Sequence, residues 1–252
     1  MLLGITDNLQ EKNRVAIKKR MGTVTTAFIA MLLLPFVLYM LFHFNVLSSK
    51  SIFSADIQEP VAKVITTRGV GTAFLVSPTT LLTARHVVEN YQVGDAVDLI
   101  FEHSQNQLQT KARIVFMAPS SVQPVNDAVP IDYFLADVAV LEVSEITDIE
   151  PLVLGESDAV QNLDEVILMG YPNGDYSITK GNINSIRYQG LDLFKLDAAS
   201  NPGNSGGPCI LSDDNTVIGI LVGRGAATTQ GENIAIKMAD VRRILSRANI
   251  VL

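Results

Sequence analysis

A serine hydroxyl stands in a glycine-rich turn in the last third of the chain, within Asn201-Pro202-Gly203-Asn204-Ser205-Gly206-Gly207-Pro208. The glycines permit the positive φ angles of a tight turn that exposes the hydroxyl. The same turn can aim the backbone N–H groups of Gly203 and Ser205 at one point, which is how an oxyanion hole is made. The segment therefore predicts a nucleophile at Ser205 and an oxyanion hole at Gly203 and Ser205.

A serine nucleophile requires a general base, and the chain contains three histidines. One of them, His86, follows an apolar run that begins at Leu81. Further along, Asp137 opens the alternating apolar segment 138–143. His, then Asp, then Ser is the chymotrypsin chain order among the unrelated folds that share this triad.

The acid of the triad has rivals in the sequence. Asp127 and Asp132 lie in the long, proline-bearing loop Ala118–Ala136, which leads directly into Asp137. We prefer Asp137, because a strand start on a rigid barrel fixes a carboxylate better than a loop of that length does.

These segments together resemble a trypsin-like serine protease of the HtrA (Deg) type. The resemblance implies an all-β, two-barrel chymotrypsin fold and an active site that uses neither a metal nor a cofactor. In it Ser205 attacks the peptide carbonyl, His86 takes and returns the proton, and Asp137 holds the imidazole in the right tautomer. The resemblance runs from about Val61 to the final helix, and its further stretches are Gly71-Thr72-Ala73-Phe74-Leu75-Val76 and Leu196-Asp197-Ala198-Ala199.

The resemblance also implies a specificity pocket. In trypsin-like relatives the residue six positions before the nucleophile lies at the base of the S1 pocket, and here it is Ala199. One wall should come from Ile220, Leu221 and Val222. Without a carboxylate to pair a substrate Lys or Arg, the pocket is expected to favour a small apolar P1 residue.

A departure from the family pattern lies directly before the histidine. Arg85 stands where a small residue usually precedes the histidine. An unpaired guanidinium would be costly if that position were buried. We therefore expect Arg85 to reach either solvent or a carboxylate.

The composition narrows the classes of partner and site. The 252 residues carry a net charge of −7 and show no basic patch on the protease part, so a nucleic-acid partner is not expected. The single cysteine, Cys209, excludes an internal disulfide and any multi-cysteine metal site. We interpret Cys209 as a small buried apolar residue.

An apolar segment precedes the protease part. From Met21 through Ser49 there is no Asp, Glu, Lys or Arg, which exceeds the roughly 20 residues needed to cross about 30 Å of hydrocarbon. Residues 12–20 contain five Lys or Arg, whereas only Lys50 and Lys63 follow closely. The positive-inside rule then predicts a transmembrane helix at 21–47 with a cytoplasmic N-terminus.

This segment has a competing interpretation as a cleavable signal peptide, with Ser48 or Ser51 at a poor cleavage site. A typical apolar region of a signal peptide spans only about 7–15 residues, and here it is longer, so we favour a retained anchor. The expected location is a bacterial inner membrane, with the protease domain on the periplasmic, extracytoplasmic side.

The remaining sequence predicts strands at short spacing with Gly, Pro, Asn and Asp between them. We predict a cytoplasmic segment at 1–20, a linker at 48–60 and a protease domain at 61–252. Within that domain we expect one barrel at about 61–145, a second at about 150–237 and a closing helix at 238–249. The predicted strands are Val61–Thr66, Thr72–Val76, Ala96–Phe101, Ala112–Phe116, Val138–Val143, Glu165–Met169, Ser177–Ile186, Phe194–Asp197, Cys209–Leu211, Val217–Val222 and Asn233–Lys237.

The predicted function is that of a membrane-tethered serine endopeptidase acting on polypeptides, in protein quality control or regulated proteolysis. The sequence leaves no room for the C-terminal PDZ module that many HtrA relatives carry. A homo-oligomer is compatible with the resemblance, because such relatives are often trimers. Two alternatives stay open: a catalytically silent, protease-like module that binds peptides, and an esterase acting on non-peptidic substrates at the same site.

Overall fold

The computed structural model describes residue 39 and residues 57–120, 130–145, 148–224 and 232–252. The chain separates into two units, Met1–Phe53 and Ser54–Leu252, and only Tyr39 of the first is described. Apart from Tyr39, the predicted transmembrane helix at 21–47 therefore lies outside the described residues, as does most of the linker at 48–60. No helix among the described residues is both long and apolar enough to cross a membrane.

Six antiparallel strands close into a first barrel, in the spatial order β1-β2-β3-β6-β5-β4. A short helix, α1 (Arg85–Val88), follows β3, and a 3-10 helix at Ile131–Ala136 precedes β6. The strands are β1 Val61–Thr66, β2 Gly69–Leu75, β3 Thr80–Thr83, β4 Ala96–Phe101, β5 Leu108–Met117 and β6 Ala139–Val143.

Six further antiparallel strands close into a second barrel, in the order β10-β11-β12-β9-β8-β7. Short 3-10 turns occur at Ser157–Ala159 and Pro172–Gly174, and helix α2 (Met238–Arg247) follows the last strand. The strands are β7 Glu165–Gly170, β8 Ser177–Ser185, β9 Leu193–Leu196, β10 Pro208–Leu211, β11 Val217–Arg224 and β12 Asn233–Lys237.

Alternating side chains explain why these segments form barrels. In β4 the side chains of Val97, Leu99 and Phe101 are buried, whereas Ala96 and Asp98 are exposed, which is the period-two pattern of a strand with one solvated face. Each barrel has its own interior cluster of apolar side chains. A third cluster draws residues from both barrels and from α2, and it includes Phe74, Leu82, Val140, Met169, Ile220 and Val241.

Helix α2 closes the second barrel by a buried face and by one arginine. Met238, Val241 and Leu245 are buried, at the spacing of one helical face. Arg242 donates hydrogen bonds to the carbonyl oxygens of Leu154 (3.1 Å) and Gly155 (3.0 Å), in the segment between the barrels. The predicted all-β, two-barrel fold with a short C-terminal helix is confirmed.

The structure differs from the predicted elements at two points near the histidine. Strand β3 was not among the predicted strands, because four residues are too few to show a period. Asp137 does not open a strand: it follows the 3-10 helix Ile131–Ala136, and β6 begins at Ala139. Cys209 is fully buried as expected, and burial raises the pKa of its thiol to about 12.

Gly206 offers a test of how tightly the two barrels meet. Its φ is +85°, and a Cβ there would lie 2.2 Å from Thr72 O and 2.9 Å from Ala84 N, both on the first barrel. Gly190 is a matched control, because its φ is +82° and a Cβ there would meet nothing within 4 Å. Gly190→Ala should lower the free energy of unfolding by about 1–2 kcal/mol through backbone strain alone.

Gly206→Ala should cost that strain plus roughly 1–3 kcal/mol of overpacking. Urea unfolding of the two variants measures the difference. Equal losses would show that Gly206 has more room than its contacts with Thr72 and Ala84 indicate.

Candidate active site

His86 and Asp137 are brought together by the pairing of β3 with β6. Thr83 lies opposite Ala139 in this antiparallel pair. His86 comes three residues after Thr83 and Asp137 two residues before Ala139, so both leave the sheet at the same end. The register of two strands therefore fixes the relative position of the base and the acid.

His86 and Asp137 are joined by two hydrogen bonds. Asp137 is fully buried, and its Oδ2 lies 2.5 Å from Nδ1 of His86. The backbone N–H of His86 donates to Oδ1 of the same carboxylate over 2.8 Å. An ionised carboxylate only accepts hydrogen bonds, so Nδ1 carries the proton and Nε2 is left as the basic nitrogen.

The rival acids are not placed in this way. Asp132 is exposed in the first turn of the 3-10 helix, and Asp127 lies outside the described residues. Among the described carboxylates, the hydrogen bonds of His86 go to Asp137.

The Ser205 loop is a tight turn held by its own backbone. Gly203 and Gly206 both have positive φ, +108° and +85°, as the glycines around Ser205 predicted. Within the turn, the N–H of Gly207 donates to the carbonyl of Asn204 over 3.0 Å. The N–H of Gly206 donates to Leu221 O (2.7 Å) on β11.

This loop lies against the first barrel beside the histidine. Gly206 approaches Ala84, which is two residues before His86. Among the described residues no hydrogen bond joins Ser205 to His86; such bonds in unliganded sites commonly tighten only when substrate is present.

The peptide group between Pro202 and Gly203 has a fixed orientation. The Pro202 carbonyl accepts a hydrogen bond from the N–H of Asn173 over 2.8 Å. In a trans peptide the C=O and N–H groups point in opposite directions, so the N–H of Gly203 faces away from Asn173. A Cβ on Gly203 would lie 2.1 Å from Tyr171 O, so only glycine fits against this support.

Thr72 is a functional candidate that the sequence analysis did not single out. It is fully buried, and its N–H donates to Ser205 O over 2.9 Å. Its hydroxyl donates to Gly203 O (2.7 Å) and accepts from the N–H of Tyr171 (3.1 Å). The available signal was a polar residue inside the apolar strand 70–75.

Electrostatics at the site favour an imidazole that holds a proton more tightly than usual. Burial lowers the pKa of His86, but the charge and hydrogen bond of Asp137, with the charge of Glu89, outweigh burial and the opposing charge of Arg85. The pKa of His86 is therefore raised above its ordinary value of 6.5.

The structure places the predicted S1 pocket residues in different surroundings. Ala199 is exposed, and its carbonyl accepts a hydrogen bond from Thr179 Oγ1 over 2.8 Å. Ile220 and Val222 belong to the cluster shared by both barrels, whereas Leu221 packs inside the second barrel. Leu221 therefore meets the Ser205 loop with its backbone and not with its side chain.

A polar pair beside Ala199 was missed. Asn233, on β12, is buried; its Nδ2 donates to Ala198 O (2.5 Å), and its Oδ1 accepts from Ser200 Oγ. Asp197 Oδ1 accepts from the N–H of Asn182 on β8 over 2.7 Å. No local sequence signal links Asn233 to Ser200, because the two lie 33 residues apart.

No cluster of three or more His, Cys, Asp or Glu side chains in the described parts of the chain has the geometry of a metal site.

A family profile described as a trypsin-like peptidase domain matches residues 71–220, more than half of the 252 residues. The chain belongs to this family.

The family's named relatives are proteases. MamE, a magnetosome formation protease of Paramagnetospirillum magneticum, is 44% identical over 92 residues, 33% of this chain and 12% of MamE. Protease Do-like 4, mitochondrial, of Arabidopsis thaliana is 32% identical over 156 residues, 57% of this chain and 26% of the relative. A probable periplasmic serine endoprotease, DegP-like, of Pseudomonas fulva is 31% identical over 163 residues, 61% and 29% respectively. The chain thus spans less than a third of each relative.

Solved structures of two proteases resemble this chain. The HtrA-type protease AlgW with a tripeptide is 26% identical, with a TM-score of 0.62, over 78% of this chain and 63% of AlgW. The Rv3671c protease of M. tuberculosis, inactive form, is 23% identical, with a TM-score of 0.60, over 77% and 90%. At that identity the second likeness concerns the fold alone. The predicted class, a trypsin-like serine protease of the HtrA type, is confirmed at the level of family and fold.

The raised pKa of His86 predicts the pH dependence of activity. A general base must be neutral in the free enzyme. The midpoint of the acid limb in the pH profile of kcat/KM should therefore lie above pH 6.5. Asp137→Asn removes the charge that raises this pKa, so the limb should move to lower pH while the rate falls roughly 10⁴-fold.

Asp132→Asn is the control for the Asp137 variant, since Asp132 is an exposed aspartate five residues upstream. It should change neither the limb nor the rate, measured with the same peptide substrate between pH 5 and 9. A comparable loss in both variants would remove Asp137 from its assigned place.

Proposed function

We propose that this protein is a membrane-tethered serine endopeptidase that hydrolyses peptide bonds through Ser205, His86 and Asp137. The observation that carries the proposal is the buried carboxylate of Asp137, which accepts both the Nδ1–H and the backbone N–H of His86. A buried charge with two donors from one histidine fixes the ring and its tautomer, as general-base catalysis requires.

The reaction proceeds in two halves. Ser205 Oγ attacks the carbonyl carbon of the substrate, and its proton passes to Nε2 of His86. The C–N bond then breaks, the same proton goes to the leaving amine, and the acyl group stays on Ser205. Water, deprotonated by His86, releases the acid product and restores the serine.

The developing oxyanion is assigned to the N–H groups of Gly203 and Ser205. The Asn173–Pro202 hydrogen bond supports this, because it turns the N–H of Gly203 away from Asn173. A donor that is already oriented needs no reorganisation during the reaction, which is what makes such stabilisation effective.

A polypeptide substrate is supported by a relative, and the P1 preference by the surroundings of Ala199. AlgW, a relative in fold and sequence, has a solved structure with a tripeptide. In this chain Ala199 is exposed, and its neighbours Ser200 and Asn233 are bonded to each other. At Ala199, the proposed base of the S1 pocket, these neighbours bring no charge, which supports a small apolar P1 residue such as Val, Ala or Ile.

The membrane tether is proposed from the sequence. The layout is a cytoplasmic segment at 1–20, a membrane helix at 21–47, a linker at 48–60 and the protease domain at 61–252. The charge asymmetry around Met21–Ser49 supports it, and so does the DegP-like relative, which is named as periplasmic. Protein quality control or regulated proteolysis outside the cytoplasm is the function that suits this layout.

Ser205→Ala tests the nucleophile. The full-length variant should lose cleavage of unfolded casein and labelling by a serine-reactive fluorophosphonate, with an unchanged melting temperature. Ser246→Ala, at an exposed serine of α2, is the control and should keep both activities. Labelling of wild-type protein without any cleavage would favour an esterase, and labelling of neither would favour a silent peptide-binding module. Cleavage by the Ser205 variant at the wild-type rate would refute the triad.

Ala199→Asp tests the pocket. Sequencing of casein products should show small or β-branched apolar P1 residues for the wild type, because a cation entering the pocket loses hydration without gaining a partner charge. The variant should cleave less after Val and more after Lys or Arg. A wild-type product set dominated by Lys and Arg would mean that an acid such as Asp197 reaches the pocket.

The tether is tested by tags at both ends. In cells with a permeabilised outer barrier, added protease should digest a C-terminal tag and spare an N-terminal one, as the positive-inside rule requires. The opposite pattern would reverse the orientation. Mature protein that begins near Ile52 would identify the segment as a signal peptide.

A further inference from the structure

Arg85, which departs from the family pattern, is buried beside the candidate acid. Only 7% of Arg85 is exposed. Its Nε lies 3.9 Å from Oδ1 of Asp137, and its guanidinium carbon lies 4.3 Å from the centre of the Tyr133 ring. The expectation that a buried Arg85 must reach a carboxylate is met, and that carboxylate belongs to Asp137.

This position is costly for the fold. Nε and Nη2 of Arg85 are buried, and neither has a hydrogen-bond partner in the described part of the protein. Unsatisfied donors on a buried charge destabilise a protein, and a whole buried ion pair can often be replaced by apolar residues of similar size without loss of stability. Sites that break a packing rule in this way are expected where function requires them.

The guanidinium is held by neighbours from separate elements. The Tyr133 ring beneath it comes from the 3-10 helix Ile131–Ala136, and the Tyr133 hydroxyl donates to Oε2 of Glu89. Glu89 Oε1 accepts from Nη1 of Arg68, in the β1–β2 turn, over 3.1 Å. These four side chains line an open cavity of about 450 Å³. The position of the Tyr133 ring, over which the Arg85 guanidinium lies, is therefore fixed from outside the triad.

We propose that Arg85 is a positioning residue of the triad: its guanidinium, held over the Tyr133 ring, lies beside Oδ1 of Asp137 and keeps the carboxylate turned toward His86. The inference rests on the proposed triad. Arg85 touches no reacting atom and acts through Asp137, on Oδ1, the oxygen that does not contact the imidazole.

The direction in which Arg85 shifts the pKa of His86 follows from the charges that face the imidazole. Asp137 and Glu89 raise the pKa of the imidazole, and Arg85 lowers it. Arg68 reaches the site only through Glu89, and Tyr133 stays neutral because burial and Glu89 raise the pKa of its hydroxyl. Loss of the Arg85 charge must therefore raise the pKa of His86, and loss of the Glu89 charge must lower it.

The experiment measures the rate of fluorophosphonate labelling of Ser205 against pH in the full chain, which requires no knowledge of the natural substrate. Arg85→Met should move the acid limb to higher pH and lower the plateau rate by up to about a hundredfold. Arg85→Lys should keep the limb near that of the wild type but lower the plateau, since lysine keeps a positive charge but lacks the planar guanidinium that lies over the Tyr133 ring. Glu89→Gln should move the limb to lower pH.

Controls separate this role from a merely structural one. Arg113→Met removes another arginine paired with a carboxylate, Glu142, on the outside of the first barrel, and should leave the limb unchanged. Arg85→Met should lower the melting temperature, because the buried carboxylate of Asp137 loses a charge partner, and it should also move the limb, which a purely structural role would not do. A lowered melting temperature with an unmoved limb would overturn the proposal, as would limbs that move in the same direction in Arg85→Met and Glu89→Gln.

A second measurement keeps the proposal independent of the proposed function. If wild-type Ser205 is not labelled, the triad fails, but NMR titration of the His86 imidazole still reports its basicity. A higher titration midpoint in Arg85→Met than in the wild type supports the role of Arg85. Equal midpoints refute it.

Discussion

The contacts of Thr72 hold the two barrels in the one arrangement that the candidate site needs. This buried residue of β2 bonds three parts of the second barrel: Ser205 O, Gly203 O and the N–H of Tyr171. The Gly203 carbonyl and the Tyr171 N–H, both on buried residues, would lose their partner without the Thr72 hydroxyl, at a cost of about 1–3 kcal/mol each. The Ser205 loop therefore cannot leave the first barrel without losing several buried hydrogen bonds at once.

The two halves of the candidate site are held by different parts of the fold. His86 and Asp137 are positioned by the β3–β6 register inside one closed barrel, which has no free edge along which to slip. Ser205 is carried by a loop of the other barrel, where glycines permit the turn and Thr72 limits its movement. An apolar cluster shared by both barrels keeps these two frames in contact. A cleft between rigid frames can bind an extended chain while its catalytic atoms stay aligned.

Residues that stand out through their immediate sequence neighbours could be predicted. Ser205 stands out because glycines on both sides of a serine have a conformational reason, and His86 and Asp137 because each adjoins an apolar run. The strands with clear alternation, such as Ala96–Phe101, were found with correct ends. Strand β3 was missed because four residues are too few to show a period. Asp137 was predicted to open a strand, but it follows a 3-10 helix and the strand begins two residues later.

The sequence by itself determined the family and the two-barrel fold and indicated three candidate catalytic groups, because the glycine turn, the flanks of the histidine and the alternation of strands are local patterns. Only the tertiary structure decided which groups meet. Thr72 lies 131 residues from Gly203, Asn233 lies 33 from Ser200, and Arg85 lies 52 from Asp137. Such pairs leave no periodic trace, because each is created by the closing of a barrel or the packing of two. The charge that faces His86 is therefore a property of the fold, although every residue that supplies it can be read in the chain.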